Sequence, residues 1–150
     1  MIGIQPLNEK SRSISVGELI GKKYITESVI AIGENISIFA AKRQNSSAQH
    51  LLALKFEKIE NGRATLIRED IVIKTVKDTK HFAKIIDCGM HLSFNFMATE
   101  LLGPSLYDLA NRRPPCKLSL VTILKFAIQG FSAIQSIHQA GFTHCNIEAV

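Results

Sequence analysis

The 150-residue sequence predicts an α+β fold with a mainly antiparallel sheet. Three observations carry the prediction. Short runs rich in β-branched residues, separated by turn residues, open the chain. A helix-periodic segment then interrupts before two more short strands. The longest periodic stretch comes last, at Ser119 to Ala140.

The elements follow in order. Met1 to Ser15 is mixed and polar and reads as a poorly ordered extension. Lys23 to Ile30 is a strand, with Ile25, Val29 and Ile30 β-branched. Gly33-Glu34-Asn35 is a turn, and Ile36 to Lys42 returns as the second arm of a hairpin. Gln44-Asn45-Ser46-Ser47 is the next turn, and Leu51 to Phe56 is a buried strand. After the break at Asn61-Gly62, Arg63 to Lys77 is a helix. Leu66, Ile73 and Val76 share one face, with Ile67 and Ile71 beside them.

Ala83 to Cys88 and Phe94 to Thr99 are short strands around a turn at Gly89. Ser105 caps a short helix that runs to Arg112 and ends before Pro114-Pro115. In the last helix Leu120, Leu124, Ala127, Phe131, Ile134 and Ile137 recur at steps of three and four. Ser119 is a good N-cap for it and Gly141 a good residue just past its end. The order is three strands, a helix, two strands, a short helix and a long helix.

Composition narrows the function classes. An apolar fraction of 46% supports a core, and the length fits one domain or a lobe plus part of another. Eighteen basic and 13 acidic residues leave a mild charge of +5, scattered except at Lys22-Lys23, Lys42-Arg43 and Arg112-Arg113. A nucleic-acid surface shows a denser stripe with interleaved aromatics, so no nucleic-acid partner is expected. Cys88, Cys116 and Cys145 are odd in number and far apart. They indicate neither a disulfide framework nor a zinc site, and a reduced intracellular setting, cytoplasm or nucleus, fits best. No signal peptide is read at the N-terminus. No uninterrupted apolar run approaches a membrane span, so no membrane partner is expected.

Several stretches then align with one family. Leu52-Ala53-Leu54-Lys55 looks like the strand that carries a kinase's nucleotide lysine. The stretch Glu100-Leu101-Leu102-Gly103-Pro104-Ser105-Leu106-Tyr107-Asp108-Leu109 closely resembles the hinge and following helix of the casein kinase 1 group of protein kinases. Ser136-Ile137-His138-Gln139-Ala140-Gly141-Phe142-Thr143-His144 resembles the approach to that group's catalytic loop. Ile86-Asp87-Cys88-Gly89 and Phe94-Asn95-Phe96 also fit its tau-tubulin kinase-like branch. The resemblance covers about residues 16–150. It implies a protein kinase-like small lobe, an antiparallel sheet plus one helix, at about 16–99. The hinge falls at 100–103, and the first helices of the large lobe at 104–150.

The resemblance also assigns roles. Lys55 would hold the nucleotide's α- and β-phosphates and Glu69 would hold Lys55; the plainer reading is an ordinary strand-to-helix ion pair. Ala53 would lie against the adenine ring, Leu102 would offer it hinge backbone groups, and Thr99 would line the back of the pocket. The bland alternative for all three is ordinary core or strand packing. The family's glycine-rich pattern reads here as Ala31-Ile32-Gly33-Glu34-Asn35-Ile36. Only the middle glycine, Gly33, survives, and Glu34 adds negative charge where phosphates would lie. ATP is therefore expected to bind weakly or not at all.

The catalytic loop departs furthest. His144 is kept, in a structural role. Cys145 replaces the Arg, and Asn146 replaces the Asp that would accept the substrate hydroxyl's proton; a neutral amide cannot act as that base. Glu148 reverses the charge of the Lys, and Ala149 replaces the Pro. The metal-binding Asn and D-F-G positions fall past Val150, so no metal ligand is evident. His138 and His144 are six apart across a helix end, which is not a metal-ligand spacing. Cys145 follows a helix C-terminus, where the dipole disfavours a thiolate.

The sequence thus reads as a truncated, degenerate casein kinase 1-like domain without phosphotransfer activity, acting if at all as a binding or scaffolding module. Two alternatives stand beside it: a fragment of a longer active ATP-dependent serine/threonine kinase, and a metal-independent nucleotide-sensing pseudokinase. Phe126, Phe131, Ile134 and Ile137 are expected to lack full cover, so self-association or a protein partner is expected through helix 119–140.

Overall fold

A computed structural model of the chain describes residues 13–45, 50–59, 65–76, 80–112, 114–115 and 117–147. Six strands form one antiparallel sheet: β1 (Leu19–Ile20), β2 (Tyr24–Ile32), β3 (Ile36–Arg43), β4 (Leu52–Lys58), β5 (Ile85–His91) and β6 (Phe94–Glu100). Their spatial order is β1-β2-β3-β4-β6-β5. Three helices accompany the sheet: α1 (Thr65–Thr75), α2 (Leu106–Asn111) and α3 (Leu120–Gln139). The α+β class and the expected succession hold, with one strand added. β1 is only two residues long, too short to leave a periodic signal.

The strand β4 divides the molecule. Leu52, Leu54 and Phe56 point to one face and are buried. Phe39 and Ala41 of β3 and Phe94, Phe96 and Ala98 of β6 join them in the core, together with Tyr24, Ile20 and Ile14. Phe56 is its centre: its ring meets Phe39 edge-on at 5.8 Å and Phe94 at 6.4 Å. Fully burying such rings stabilises by roughly 2–3 kcal/mol each. Residues 1–12 of the expected extension lie outside the described residues. Ile14 and Ser15, expected to be poorly ordered with them, are built into the fold. Ile14 belongs to the core, and the Ser15 carbonyl accepts a hydrogen bond from Thr26 Oγ1 at 2.7 Å.

The turn expected at Gly89 is displaced. Gly89 lies inside β5, opposite Phe96, where an added Cβ would meet the Phe96 ring at 3.0 Å. The chain turns instead at Leu92-Ser93, with Leu92 at φ 52°. Glycine is here a close-approach residue, not a turn residue. The Asn61-Gly62 break, residues 46–49 and the two ends of the expected 63–77 helix lie outside the described residues.

The two edge strands of the sheet are fastened by side chains. His91, at the end of β5, pairs with Glu18, just before β1, at 3.0 Å. Asp87 of β5 accepts from Lys23 Nζ at 2.8 Å and from Tyr24 Oη at 3.1 Å. The sheet is therefore curled until β5 meets the start of β2.

Both cap expectations hold. Ser105 and Asp108 form a reciprocal capping box on α2, and Ser119 Oγ accepts from Thr122 N at 3.2 Å. Gly141 follows α3 at φ 83°. On α3 only Ile137 is buried, against the expectation for that residue, while Phe126 and Phe131 are 52% and 74% exposed. By length and composition alone α3 could cross a membrane, since its 20 residues contain a stretch of mean hydropathy 1.4. The apolar-run criterion missed this because polar Thr122, Lys125, Gln129, Ser132 and Ser136 break up the run.

Candidate functional site

The second face of β4 carries Ala53, Lys55 and Glu57, by the same alternation that buries Leu52, Leu54 and Phe56. Strand register sets their neighbours. Ala53 lies between Ala40 of β3 and Thr99 of β6, and Lys55 between Ile38 and Met97. The row Ala40-Ala53-Thr99 is a floor of small side chains, and the row beside it presents an ammonium. Thr99 Oγ1 donates to the Glu100 carbonyl at 3.2 Å. Glu100 N donates to the Lys84 carbonyl at 3.1 Å, which ties the end of β6 to the approach to β5. Leu102 follows β6 in the segment leading to Ser105 and is 65% exposed.

Helix α1 covers the Lys55 side of this face. Leu66 and Val76 are buried. Ile73 is half-buried, whereas Ile67 and Ile71 are exposed. Lys55 Nζ donates to Glu69 Oε2 at 2.5 Å, with both side chains partly exposed. The pair spans strand and helix, so it fixes where the ammonium stands. At this exposure such a pair adds at most about 1 kcal/mol to stability.

The helix is positioned by a residue that the sequence reading did not single out. Glu57 is 2% exposed. Its Oε1 accepts from Thr65 N and its Oε2 from Leu66 N, each at 3.0 Å, and Thr65 Oγ1 also donates to it. A carboxylate on the first amides of a helix satisfies orphan donors and complements the helix dipole. The missed signal was a carboxylate two residues beyond Lys55, on the same alternation of β4. Ala40, the other missed floor residue, was legible in the same way, by alternation from Ile38.

Gly33 sits at the β2–β3 turn, where its N–H donates to the Ile36 carbonyl at 2.7 Å. With Glu34 it lines a 220 Å³ cleft that also includes Phe39 and Phe94, whose side chains belong to the face opposite Lys55. After α3 the chain has no regular secondary structure, and His144, Cys145 and Asn146 are exposed. Asn146 N donates to His144 Nδ1 at 3.3 Å, and Cys145 takes a left-handed φ of 61°. Glu148 lies outside the described residues.

No protein-family model matches the chain. It is 29% identical over 134 residues to a probable serine/threonine-protein kinase of Dictyostelium discoideum, covering 89% of this chain and 27% of that protein. It is 30% identical over 105 residues to a putative serine/threonine-protein kinase of Caenorhabditis elegans, covering 70% of this chain and 26% of that protein. The chain thus spans little more than a quarter of either relative's length. Its fold matches the crystal structure of a kinase domain with a TM-score of 0.70 at 20% identity, over 85% of this chain and 38% of that one.

Proposed function

We propose that this chain, a protein kinase-like domain by its fold and its sequence relatives, is a degenerate casein kinase 1-like pseudokinase that serves as a binding module. The observation that carries the proposal is Asn146, which stands where the family's catalytic loop has an aspartate. An amide cannot take a proton from a substrate hydroxyl near neutral pH. The tau-tubulin kinase-like branch and an intracellular setting belong to the same proposal, on the stretches Ile86-Asp87-Cys88-Gly89 and Phe94-Asn95-Phe96 and on the cysteine pattern. Comparing phosphate transfer from ATP to a generic acidic protein substrate by this chain and by Asn146→Asp tests it. Wild-type transfer at the rate of an ordinary kinase would overturn it.

A second reading, metal-independent nucleotide binding, is favoured by the Lys55–Glu69 pair at 2.5 Å and by the small floor at Ala40, Ala53 and Thr99. Here Lys55 would contact the phosphates and the floor would take the base, with Leu102 offering backbone groups. ATP titration with and without magnesium, read by thermal melting, separates the readings. A shift that persists with chelator and is lost in Lys55→Met supports a nucleotide sensor. No shift in either condition removes it.

A further inference from the structure

The seam where the curled sheet meets itself holds a cleft that shares no residue with the Lys55 face. Its volume is 410 Å³. Three separate stretches supply its walls: Lys22 to Tyr24 at the start of β2, Arg43 and the following turn at the end of β3, and Ile86-Asp87 on β5. Register places Arg43 opposite Tyr24, and Gln44 N donates to the Lys23 carbonyl at 2.7 Å, so the two basic stretches are held side by side.

The charges do not cancel. Asp87 is the one carboxylate among the lining residues, and it is already engaged by Lys23, Tyr24 and Cys88 N. Nearby Lys42 is answered by Glu27 at 2.5 Å. Among the described residues neither Lys22 nor Arg43 has a carboxylate partner, and both are exposed. The cleft therefore presents two uncompensated cations beside the neutralised Lys23–Asp87 pair. A duplex or a bilayer calls for an extended basic surface. Two cations converging in one concavity suit a single compact dianion, and a guanidinium with an ammonium is a pairing well fitted to phosphate oxygens.

We propose that this seam cleft binds a phosphorylated side chain presented by a partner peptide. Arg43 and Lys22 contact the phosphoryl oxygens. Asp87 keeps Lys23 at the rim, and the cleft volume left over receives the residues that flank the phosphate.

Fluorescence anisotropy with a short phosphoserine peptide, its unphosphorylated twin and inorganic phosphate as competitor tests this on the whole chain. The phosphopeptide is expected to bind roughly tenfold or more tighter than its twin. The double variant Lys22→Gln/Arg43→Gln is expected to lose that preference, while Lys22→Arg/Arg43→Lys retains most of it and Lys42→Gln leaves it unchanged. Thermal melting establishes that each variant is folded. The proposal is overturned if the two peptides bind alike, or if the double glutamine variant binds the phosphopeptide as wild type does. It is equally overturned if RNA or anionic vesicles, and not the phosphopeptide, show the dependence on Lys22 and Arg43. Inorganic phosphate competing as tightly as the phosphopeptide would also overturn it, because the flanking residues would then add nothing.

Discussion

Lys55 and Glu57 stand two residues apart on one face of β4, and both hold α1. Glu57 accepts the first amides of the helix at Thr65 and Leu66, and Lys55 takes Glu69 one turn further on. Two points of attachment fix both the position of the helix start and its rotation. The placement of the Lys55 ammonium therefore depends on a carboxylate that never touches it.

Replacing Glu57 with alanine removes the partner of two backbone amides at the start of α1, that of Leu66 buried and that of Thr65 partly so. Stability is expected to fall by about 2 kcal/mol. Urea unfolding measures it. A loss below about 0.5 kcal/mol would mean that solvent caps α1 equally well.

Asp87 provides a pH test. Its hydrogen bond from Lys23, followed by that from Tyr24, holds its carboxyl below the usual 3.8 despite the opposing effect of burial. The native state thus resists protonation more than the unfolded chain does. The stabilisation is present in full above the ordinary carboxylate range and is lost as pH falls through the lower native value. Asp87→Asn should cost roughly 1 kcal/mol at neutral pH and markedly less in acid. An equal cost at both pH values, measured by denaturant titration, would contradict this.

Cys88 should be a sluggish thiol although the residue is exposed. Burial of the sulfur raises its pKa most, the hydrogen bond to Asp70 at 3.1 Å raises it further, and together they push it up to about 12. Alkylation by iodoacetamide, followed by peptide mass mapping, should run roughly tenfold or more slower than for an unstructured thiol. Asp70→Asn should accelerate it. Unchanged kinetics in that variant would show that the carboxylate has no part in the effect.

The 150-residue chain on its own should self-associate through α3. Leu120, Leu124, Ile128 and Phe131 are all at least 54% exposed and lie along one broad side of the helix. Light scattering should give a mass above the 16.6 kDa of one chain, and Phe131→Glu should lower it. A monodisperse monomer that melts cooperatively would count against the idea.

Local chemistry made most elements legible in the sequence. β-branched residues marked β2 and β3, a compact apolar run marked β4, and periods of three and four marked α3. Ser105 and Ser119 marked helix starts because a hydroxyl caps amides wherever the chain turns helical. The candidate site was legible only where a residue's type mattered by itself. Lys55, Glu69 and Asn146 could be named because ammonium, carboxylate and amide differ in what they can do. Glu57 could not, since its role requires α1 to begin beside β4, and neither could the role of Gly89, which requires the Phe96 ring across the ladder.

The sequence by itself determined the strand and helix periods, the caps and the chemical identity of each group in the loop after α3. Those depend on neighbours a few residues away, which the chain carries with it. Only the tertiary structure decided which carboxylate holds α1, which small residues form the floor beside Lys55, and that Lys22 and Arg43 line one cleft. These depend on the curl of the sheet and on strand register, where one residue of slip turns every side chain to the other face.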